Sequence, residues 1–196
     1  ILADDLGYGD LSGYRNVLQP QPDRSPTCQT PNLDVLASNG LRFTGMYCGA
    51  AVCSPSRAAL LTGRNCTRLG IYNWIPANSP MHLRDEEVTI AEMLRDTGYR
   101  RGHFGKWHLT SEGMEQPLPQ DQGFEPIAWY DAGGSPYFDW RHEWNDKQKD
   151  RFPDMPQKQW QVGDAGKTTD FDYLTDDLTQ QAINFIDKRS DEEKPF

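Results

Sequence analysis

The segment Cys53–Arg57 reads Cys-Ser-Pro-Ser-Arg and brings a thiol, a proline and a guanidinium close together. Proline suits the first turn of a helix, so Pro55 predicts a helix that begins just after the thiol. The N–H groups at a helix start attract anions, and Arg57, one turn further on, could direct its guanidinium at the same anion. The pattern favours Cys53 as a reactive centre that handles an anionic substrate. The alternative is a buried structural cysteine in front of an ordinary helix.

Asp4 and Asp5 are adjacent carboxylates that follow Ile1–Ala3, an apolar stretch typical of the end of a buried strand. Two neighbouring carboxylates repel each other unless a cation neutralises them. Oxygen ligands of this kind suit Ca²⁺ or Mg²⁺, so both residues are candidate metal ligands. Because Asp-Asp-Leu-Gly is also favourable turn chemistry, a solvated turn is the alternative.

Lys106 and His108 occupy alternating positions of a segment predicted to be extended. Alternating side chains of an extended chain point to the same side, so both groups could face one cleft. The alternative is a surface lysine next to a packed histidine.

Other titratable residues have less support as site residues. His103 is expected to be structural. His82 and His142 belong to no supporting pattern, although His142 lies in a segment that could contact substrate. Asp176 and Asp177 are interpreted as residues of a helix start, where the helix dipole favours them, rather than as metal ligands.

Helices and strands must alternate to position these residues. Helix signals run from Thr30-Pro31 to Gly40, from Ser54-Pro55 to Gly63, from Thr89 to Gly98, and through the apolar stripe Leu178, Ala182, Phe185 and Ile186. Strands are predicted over Leu41–Tyr47 and Tyr99–Lys106. This alternation predicts an α/β fold, with a mostly parallel central sheet and helices on both faces. Ligands bind at the carboxyl ends of such strands, where Asp4-Asp5, Cys53 and Lys106–His108 are expected.

Residues 110–169 are rich in Pro, Gly, Trp and Asp and show little periodicity. They are predicted to form long irregular connections that wall the site. Several aromatic residues there could stack on a sugar or an aryl group, with core packing as the alternative; they are Trp129, Tyr130, Tyr137, Trp140 and Trp144.

These motifs together resemble those of a known family. Cys53–Arg57, followed by Ala58–Arg64, is similar to the signature of the type I sulfatases. Leu2–Asp10 resembles the first metal-binding strand end of that family, Thr30–Asp34 its next helix start and Gly105–Leu109 its Gly-Lys-Trp-His-Leu block. The resemblance covers nearly the whole chain. It implies an alkaline-phosphatase-like fold, with residues 1–196 as the N-terminal part of a single sulfatase catalytic domain, truncated at both ends.

The resemblance also implies a mechanism for Cys53. A maturation enzyme would oxidise this residue to formylglycine, whose hydrate carries two hydroxyls on one carbon. One hydroxyl would attack the sulfur of a sulfate ester, and loss of a proton from the other would expel sulfate. The implied function is a sulfuric ester hydrolase that acts on a carbohydrate or aryl sulfate.

The resemblance assigns roles to the other candidate residues as well. Asp4, Asp5 and residue 53 would hold Ca²⁺, with Mg²⁺ as an alternative. Arg57 would steady the nucleophile and the metal ligands, and Lys106 would bind the sulfate oxygens. His108 would take a proton from the second hydroxyl.

Two other functions remain open at this point. A phosphomonoester or phosphonate-ester hydrolase of the same superfamily could carry the same motif, because sulfate and phosphate esters share a tetrahedral shape. A non-catalytic binder of sulfated glycans, or an inactive fragment, would keep Cys53 as a thiol.

Composition excludes some classes of protein. The 196 residues suffice for one domain with a core, and a net charge of −9 argues against a nucleic-acid binder. No stretch of about 18 apolar residues is present, so no membrane span is predicted. The four cysteines, Cys28, Cys48, Cys53 and Cys66, fit no zinc pattern. The family resemblance implies export to the periplasm, the extracellular space or the lysosome, although the chain contains no signal peptide.

Overall fold

The computed structural model describes residues 1–14, 29–111, 114, 116–130, 137, 161–162, 173–190 and 192–196. The chain divides into two compact units, Ile1–Tyr47 and Cys48–Phe196.

The first unit contains a 3-10 helix, Tyr8–Asp10, and helix α1, Pro31–Asn39. Helix α1 confirms the predicted helix, since it has a proline in its first turn and ends before Gly40. Asp34 anchors α1, because its carboxylate accepts hydrogen bonds from the Ser12 hydroxyl (2.6 Å) and the Gly13 N–H (2.9 Å). The hydrogen bond from Ser12 contributes most to lowering the pKa of the Asp34 carboxyl below its ordinary value.

Two strand predictions in the first unit are wrong for this structure. Ile1–Ala3 and Leu41–Tyr47 are both irregular and exposed, with Ile1 and Leu41 fully or largely open to solvent. An alternating or apolar pattern forms a strand only where a neighbouring strand can pair with its backbone. Neither segment has such a partner among the described residues.

The second unit contains helices α2, Cys53–Thr62, α3, Cys66–Leu69, α4, Ile90–Arg95, and α5, Leu174–Ser190. Gly63 ends α2 with a left-handed backbone (φ 65°), as the sequence predicted. Thr89 begins α4 with a capping box, in which its hydroxyl and the Glu92 carboxylate each accept a backbone N–H. The helices expected near Ser54, Thr89 and Leu178 are therefore confirmed.

A sheet of three strands lies in the second unit: β1, Gly102–Lys106, β2, Glu125–Tyr130, and β3, Gln161–Val162. Strands β1 and β2 are parallel, with Phe104 opposite Ala128, whereas β2 and β3 are antiparallel. Strand β1 begins at Gly102, three residues later than predicted, and the Arg100 N–H before it binds the Pro195 carbonyl (2.8 Å). Residues 110–169 were predicted to be irregular, yet they include β2 and β3.

Helix α5 covers β1. The rings of Phe104 and Phe185 pack edge to face with centroids 5.7 Å apart. Gly105 has a left-handed backbone (φ 94°), and a Cβ there would lie 3.5 Å from the Leu178 side chain. The end of β1 thus packs against α5 at a position whose backbone conformation only glycine adopts without strain.

One buried apolar cluster joins α2 and α3 to the segment after β1. Its members, each no more than 3% exposed, are Ala58, Leu69, Ile71, Ile75, Leu83, Trp107 and Leu109. Ala58 comes from the Cys53 motif, and Trp107 and Leu109 flank His108. Burial of apolar surface therefore holds the two sequence motifs together. No helix among the described residues is long and apolar enough to cross a bilayer.

Candidate active site

Cys53 is the first residue of α2 and is half-buried. The preceding residue, Val52, has an extended backbone (φ −127°, ψ 163°) and caps the helix without a side-chain hydrogen bond. The helix therefore begins one residue earlier than predicted, and the thiol belongs to its first turn. Residues 49–52 are irregular, so the expectation that Cys53 follows a strand is wrong among the described residues.

Arg57 links the two motifs directly. Its guanidinium donates a hydrogen bond from Nη1 to the backbone carbonyl of Lys106 (2.5 Å). Arg57 lies one turn into α2, and Lys106 is the last residue of β1. A charged donor makes this bond stronger than a neutral one, so it fixes the strand end relative to the helix start.

Lys106 is buried, with 8% of its surface exposed, at the carboxyl end of β1. This is the end of the strand at which the sequence predicted it. The backbone does not stay extended beyond it, since His108 has a left-handed conformation (φ 54°). The extended segment that was predicted to carry both Lys106 and His108 therefore ends at Lys106, and that both side chains face one cleft stays a prediction.

His108 is buried, with 2% of its surface exposed. Its Nε2 lies 3.0 Å from the carbonyl oxygen of Ile75. A carbonyl can only accept, so Nε2 carries a proton in this arrangement, and in the neutral ring Nδ1 then carries the lone pair. The histidine is thereby held in the tautomer that can take up a proton at Nδ1.

Ser54 is a site residue that sequence reasoning missed. It is fully buried, and its Oγ accepts the backbone N–H of Ile75 at 3.0 Å. The residue next to Cys53 and the ring of His108 thus bind the same residue, Ile75. Its position inside the Cys53 motif was visible, but no sequence pattern indicated a partner 21 positions away.

His103 lies next to Arg57 but has a different environment from His108. Its ring packs edge-on against Trp107 (centroids 5.3 Å apart) and tilted against Phe124 (5.2 Å). Burial, and secondarily the positive charge of Arg57, lower the pKa of His103 to about 4. The ring is therefore neutral at neutral pH, which agrees with the predicted structural role.

Asp4 and Asp5 lie in the first unit and are both exposed. Asp5 has a left-handed backbone (φ 59°), which Asp tolerates better than most residues. Their oxygen atoms suit a hard divalent cation, which takes six to eight such ligands in the case of Ca²⁺. No group of three or more His, Cys, Asp or Glu side chains that could hold a metal occurs among the described residues. The two aspartates thus fit part of a donor set.

The other titratable candidates that the structure describes are His82, Asp176 and Asp177. The ring of His82 binds the Pro80 carbonyl through Nδ1 at 2.9 Å. Asp176 and Asp177 lie in the first turn of α5, as predicted, but Asp177 is fully buried rather than solvated. His142 lies outside the described residues, and so do Cys28, Trp140 and Trp144.

Among the five aromatic candidates of the segment 110–169, Tyr137 is the one whose ring the structure describes. It is exposed and stacks on Tyr173 with centroids 5.5 Å apart. Trp129 and Tyr130 belong to β2. The described cysteines Cys48, Cys53 and Cys66 are all free thiols.

Residues 1–196 match the family model described as Sulfatase. This chain belongs to the sulfatase family. Human arylsulfatase A is 49% identical over 125 residues, which cover 63% of this chain and 23% of that protein. Arylsulfatase G of Mus musculus is 31% identical over 210 residues, which cover 100% of this chain and 38% of that protein. The sulfatase chain thus spans less than two fifths of the length of either relative.

Solved sulfatase structures confirm the predicted fold class. The crystal structure of Ps i-CgsB matches the whole chain with a TM-score of 0.77 at 29% identity, and the match covers 42% of that protein. PsFucS1 sulfatase from Pseudoalteromonas sp. matches the whole chain with a TM-score of 0.66 at 28% identity, covering 41% of that protein. The fold is the α/β fold of the alkaline phosphatase superfamily.

Proposed function

We propose that this sulfatase-family protein hydrolyses sulfuric esters and that Cys53 is converted to its nucleophile. The observation that carries the proposal is the hydrogen bond from Arg57 to the Lys106 carbonyl, which joins the Cys53 helix to the end of β1. Two cationic side chains, a helix start and a histidine with a basic nitrogen thereby belong to one packed region. That combination of groups suits a substrate that carries a tetrahedral oxyanion, such as a sulfate ester, better than a neutral substrate.

Cys53 is the residue that would be modified to formylglycine by a maturation enzyme, which is the protein partner we propose. It is half-buried at the helix start, so the side chain borders both solvent and core. The modified residue supplies a carbon with two hydroxyls, one to attack sulfur and one to let sulfate leave. A thiol or a single hydroxyl would stay bonded to the sulfo group. The carbon that carries it has no second hydroxyl whose loss of a proton could expel sulfate.

Lys106 and Arg57 would serve the charge of the substrate. Lys106 lies at the carboxyl end of β1, where α/β sheets bind ligands. Its ammonium group would neutralise sulfate oxygens, while Arg57 holds the strand end on which Lys106 sits. Because the chain carries a net charge of −9, an anionic substrate requires such local positive charge.

His108 would move the proton that releases sulfate. Its Nε2–H is held by the Ile75 carbonyl, which leaves Nδ1 as the proton acceptor. Asp4 and Asp5 would hold a divalent cation, Ca²⁺ by preference, that supplies Lewis-acid chemistry when bound.

Sulfated carbohydrate is the substrate class we favour. Ps i-CgsB, at 29% identity, has been crystallised with k-i-k-neocarrahexaose, and a relative from Canis lupus familiaris is named N-acetylgalactosamine-6-sulfatase. In this chain Tyr72 and Trp74, 71% and 50% exposed, lie just before Ile75 in the segment that touches His108. Exposed aromatic rings of this kind stack on sugar rings, and they would also stack on an aryl group.

Mass spectrometry combined with parallel assays tests the proposal. Protein co-expressed with a formylglycine-generating enzyme is digested to read the mass at position 53, and the same preparation is assayed on an aryl sulfate and an aryl phosphate. We expect conversion of Cys53, faster turnover of the sulfate, and a loss of about a thousandfold or more in Cys53→Ala. Cys48→Ala, which removes an exposed thiol, serves as the control and should keep its activity.

Each of the other functions predicts a different result. Faster phosphate turnover would identify a phosphoester hydrolase. An unconverted thiol at position 53, with binding of a sulfated glycan but no turnover, would identify a non-catalytic binder.

A further inference from the structure

Ile75 makes two hydrogen bonds through one peptide backbone. Its N–H donates to Ser54 Oγ at 3.0 Å, and its carbonyl accepts His108 Nε2–H at 3.0 Å. All three residues are buried, with 0% exposure for Ser54, 2% for His108 and 3% for Ile75. Hydrogen bonds in such a dry environment are strong, and leaving one partner unmatched is costly.

We propose that Ser54, through the backbone of Ile75, positions the imidazole of His108 relative to Cys53. Ser54 is adjacent to Cys53 on the first turn of α2, so its hydroxyl moves with the reactive residue. The carbonyl of Ile75 in turn accepts the hydrogen bond from Nε2–H of His108, and this bond fixes both the position of the ring and its tautomer. This inference rests on the proposed function, because it assumes that His108 exchanges a proton with residue 53. Ser54 is then a positioning residue.

Pro76 supports the same arrangement from the other side. A proline restricts the residue before it to extended backbone, so Pro76 limits Ile75 to that conformation. An extended residue presents its N–H and carbonyl on the same edge, as paired residues of an antiparallel sheet do. Both bonds of Ile75 can therefore form together.

The segment that begins at Ile75 is also tied along its length. The Ser111 hydroxyl donates to the Pro76 carbonyl (2.8 Å) and accepts the Ser79 N–H (2.7 Å). The Gln116 amide donates to the Ser79 carbonyl (2.8 Å). These contacts bind the segment to the residues just after His108, so movement of Ile75 would be transmitted to the histidine.

The test compares Ser54→Ala with Ser56→Ala, a matched change in the same motif. Because Ser54 adjoins the residue that the maturation enzyme would convert, rates are divided by the fraction of chains converted at position 53, measured by mass spectrometry. We expect kcat of Ser54→Ala to fall on the order of tenfold to a hundredfold with little change in KM, because the ring is misplaced but the substrate contacts remain. Ser54→Thr, which keeps a hydroxyl, should restore most of the rate, and Ser56→Ala should match the wild type.

A second variant avoids the maturation motif altogether. Pro76→Gly releases the restriction on Ile75, and Pro80→Gly, in the same segment, is its control. We expect a severalfold lower kcat for Pro76→Gly alone. Wild-type kcat per converted chain in both Ser54→Ala and Pro76→Gly would overturn the proposal.

A spectroscopic readout separates this proposal from the proposed function. The ¹⁵N chemical shifts of the His108 ring report which nitrogen carries the proton. The Nε2–H form should dominate in the wild type and in Ser56→Ala, and should lose its dominance in Ser54→Ala. If the wild type hydrolyses no sulfate ester, the proposed function fails while this measurement still tests the positioning. An unchanged tautomer in Ser54→Ala would reject the positioning even in an active enzyme.

Discussion

Two histidines on one short segment show how strongly local surroundings decide the chemistry of a residue. His103 is enclosed by Trp107 and Phe124, and burial together with the charge of Arg57 lowers its pKa to about 4. His108 is instead held by a backbone carbonyl that selects its tautomer. The sequence predicted a structural role for His103, and its ring contacts agree with that role, while the proton transfer by His108 stays a proposal.

The lowered pKa of His103 predicts an acid-sensitive fold. Between pH 6.5 and about 4 the unfolded chain binds a proton at this residue and the folded chain does not, so unfolding becomes easier as the pH falls through that window. The contribution is fully present above pH 6.5, and about 3 kcal/mol is lost by pH 4. Urea denaturation of wild type and His103→Gln over this range measures it.

The comparison depends on the slope with pH rather than on absolute stability. His103→Gln should show a flatter dependence of stability on pH than the wild type. His82→Gln, which alters a histidine that binds the nearby Pro80 carbonyl, should follow the wild type. Parallel curves for all three proteins would contradict the assignment.

Helix α2 is the element on which the candidate site depends. Its start carries Cys53 and Ser54, its second turn carries Arg57, and its end is closed by Gly63 in a left-handed conformation. Just beyond, Arg64 and Arg84 both pair with the buried carboxylate of Glu87. The helix is thus held by contacts at both ends, and these contacts fix the position of the Cys53 thiol relative to β1.

Gly63→Ala tests the closing end of this helix. A Cβ would meet no atom within 4 Å, so the expected cost comes from the backbone conformation (φ 65°) and amounts to about 1 kcal/mol of unfolding free energy. Gly45→Ala is the matched control, because that site is also open but its backbone is not left-handed. Equal stabilities of the two variants, measured by urea denaturation, would show that the left-handed turn does not hold α2.

The other end of the sheet is organised by ion pairs. Arg100 and Arg189 each bind Glu192 (2.8 and 2.9 Å), and Glu125 lies 3.4 Å from Arg189. Glu125 begins β2, and Arg100 precedes β1. Charge at this end is therefore used to join β1, β2 and α5, while the cationic residues of the proposed site, Arg57 and Lys106, belong to the carboxyl end of β1.

At the scale of the whole molecule, the net charge of −9 complicates any test of metal binding. An acidic chain gathers divalent cations in its ionic atmosphere, and salt screens that effect. A specific site must therefore be separated from general charge by variants that remove the same charge elsewhere.

Asp5→Asn removes one carboxylate while keeping a side chain that tolerates the left-handed backbone at this position (φ 59°). We expect it to abolish saturable Ca²⁺ binding, measured by titration calorimetry at about 0.15 M salt, where atmospheric binding is screened. Asp10→Asn removes the same charge from a carboxylate that accepts the Gly7 N–H, and it should still bind. Identical titrations of the two variants would remove Asp5 from the metal site.

The sequence by itself determined the family, the helix starts and stops, and the residues that could do chemistry. These signals are local: proline in a first turn, glycine after a helix and a five-residue motif each act within a few positions. Strand predictions were less reliable, since Leu41–Tyr47 is irregular and β2 was not foreseen. A strand exists only where another segment pairs with it, and that partner is chosen by the fold.

Only the tertiary structure decided how the motifs meet. Arg57 reaches the Lys106 carbonyl across 49 positions, and Ser54 and His108 converge on Ile75 across 21 and 33 positions. Because the backbone of His108 is left-handed, the alternation of side chains that an extended chain would give does not continue to this residue. Contacts over such separations form because a buried cluster brings the segments together, and buried polar groups then pair with whatever lies within reach.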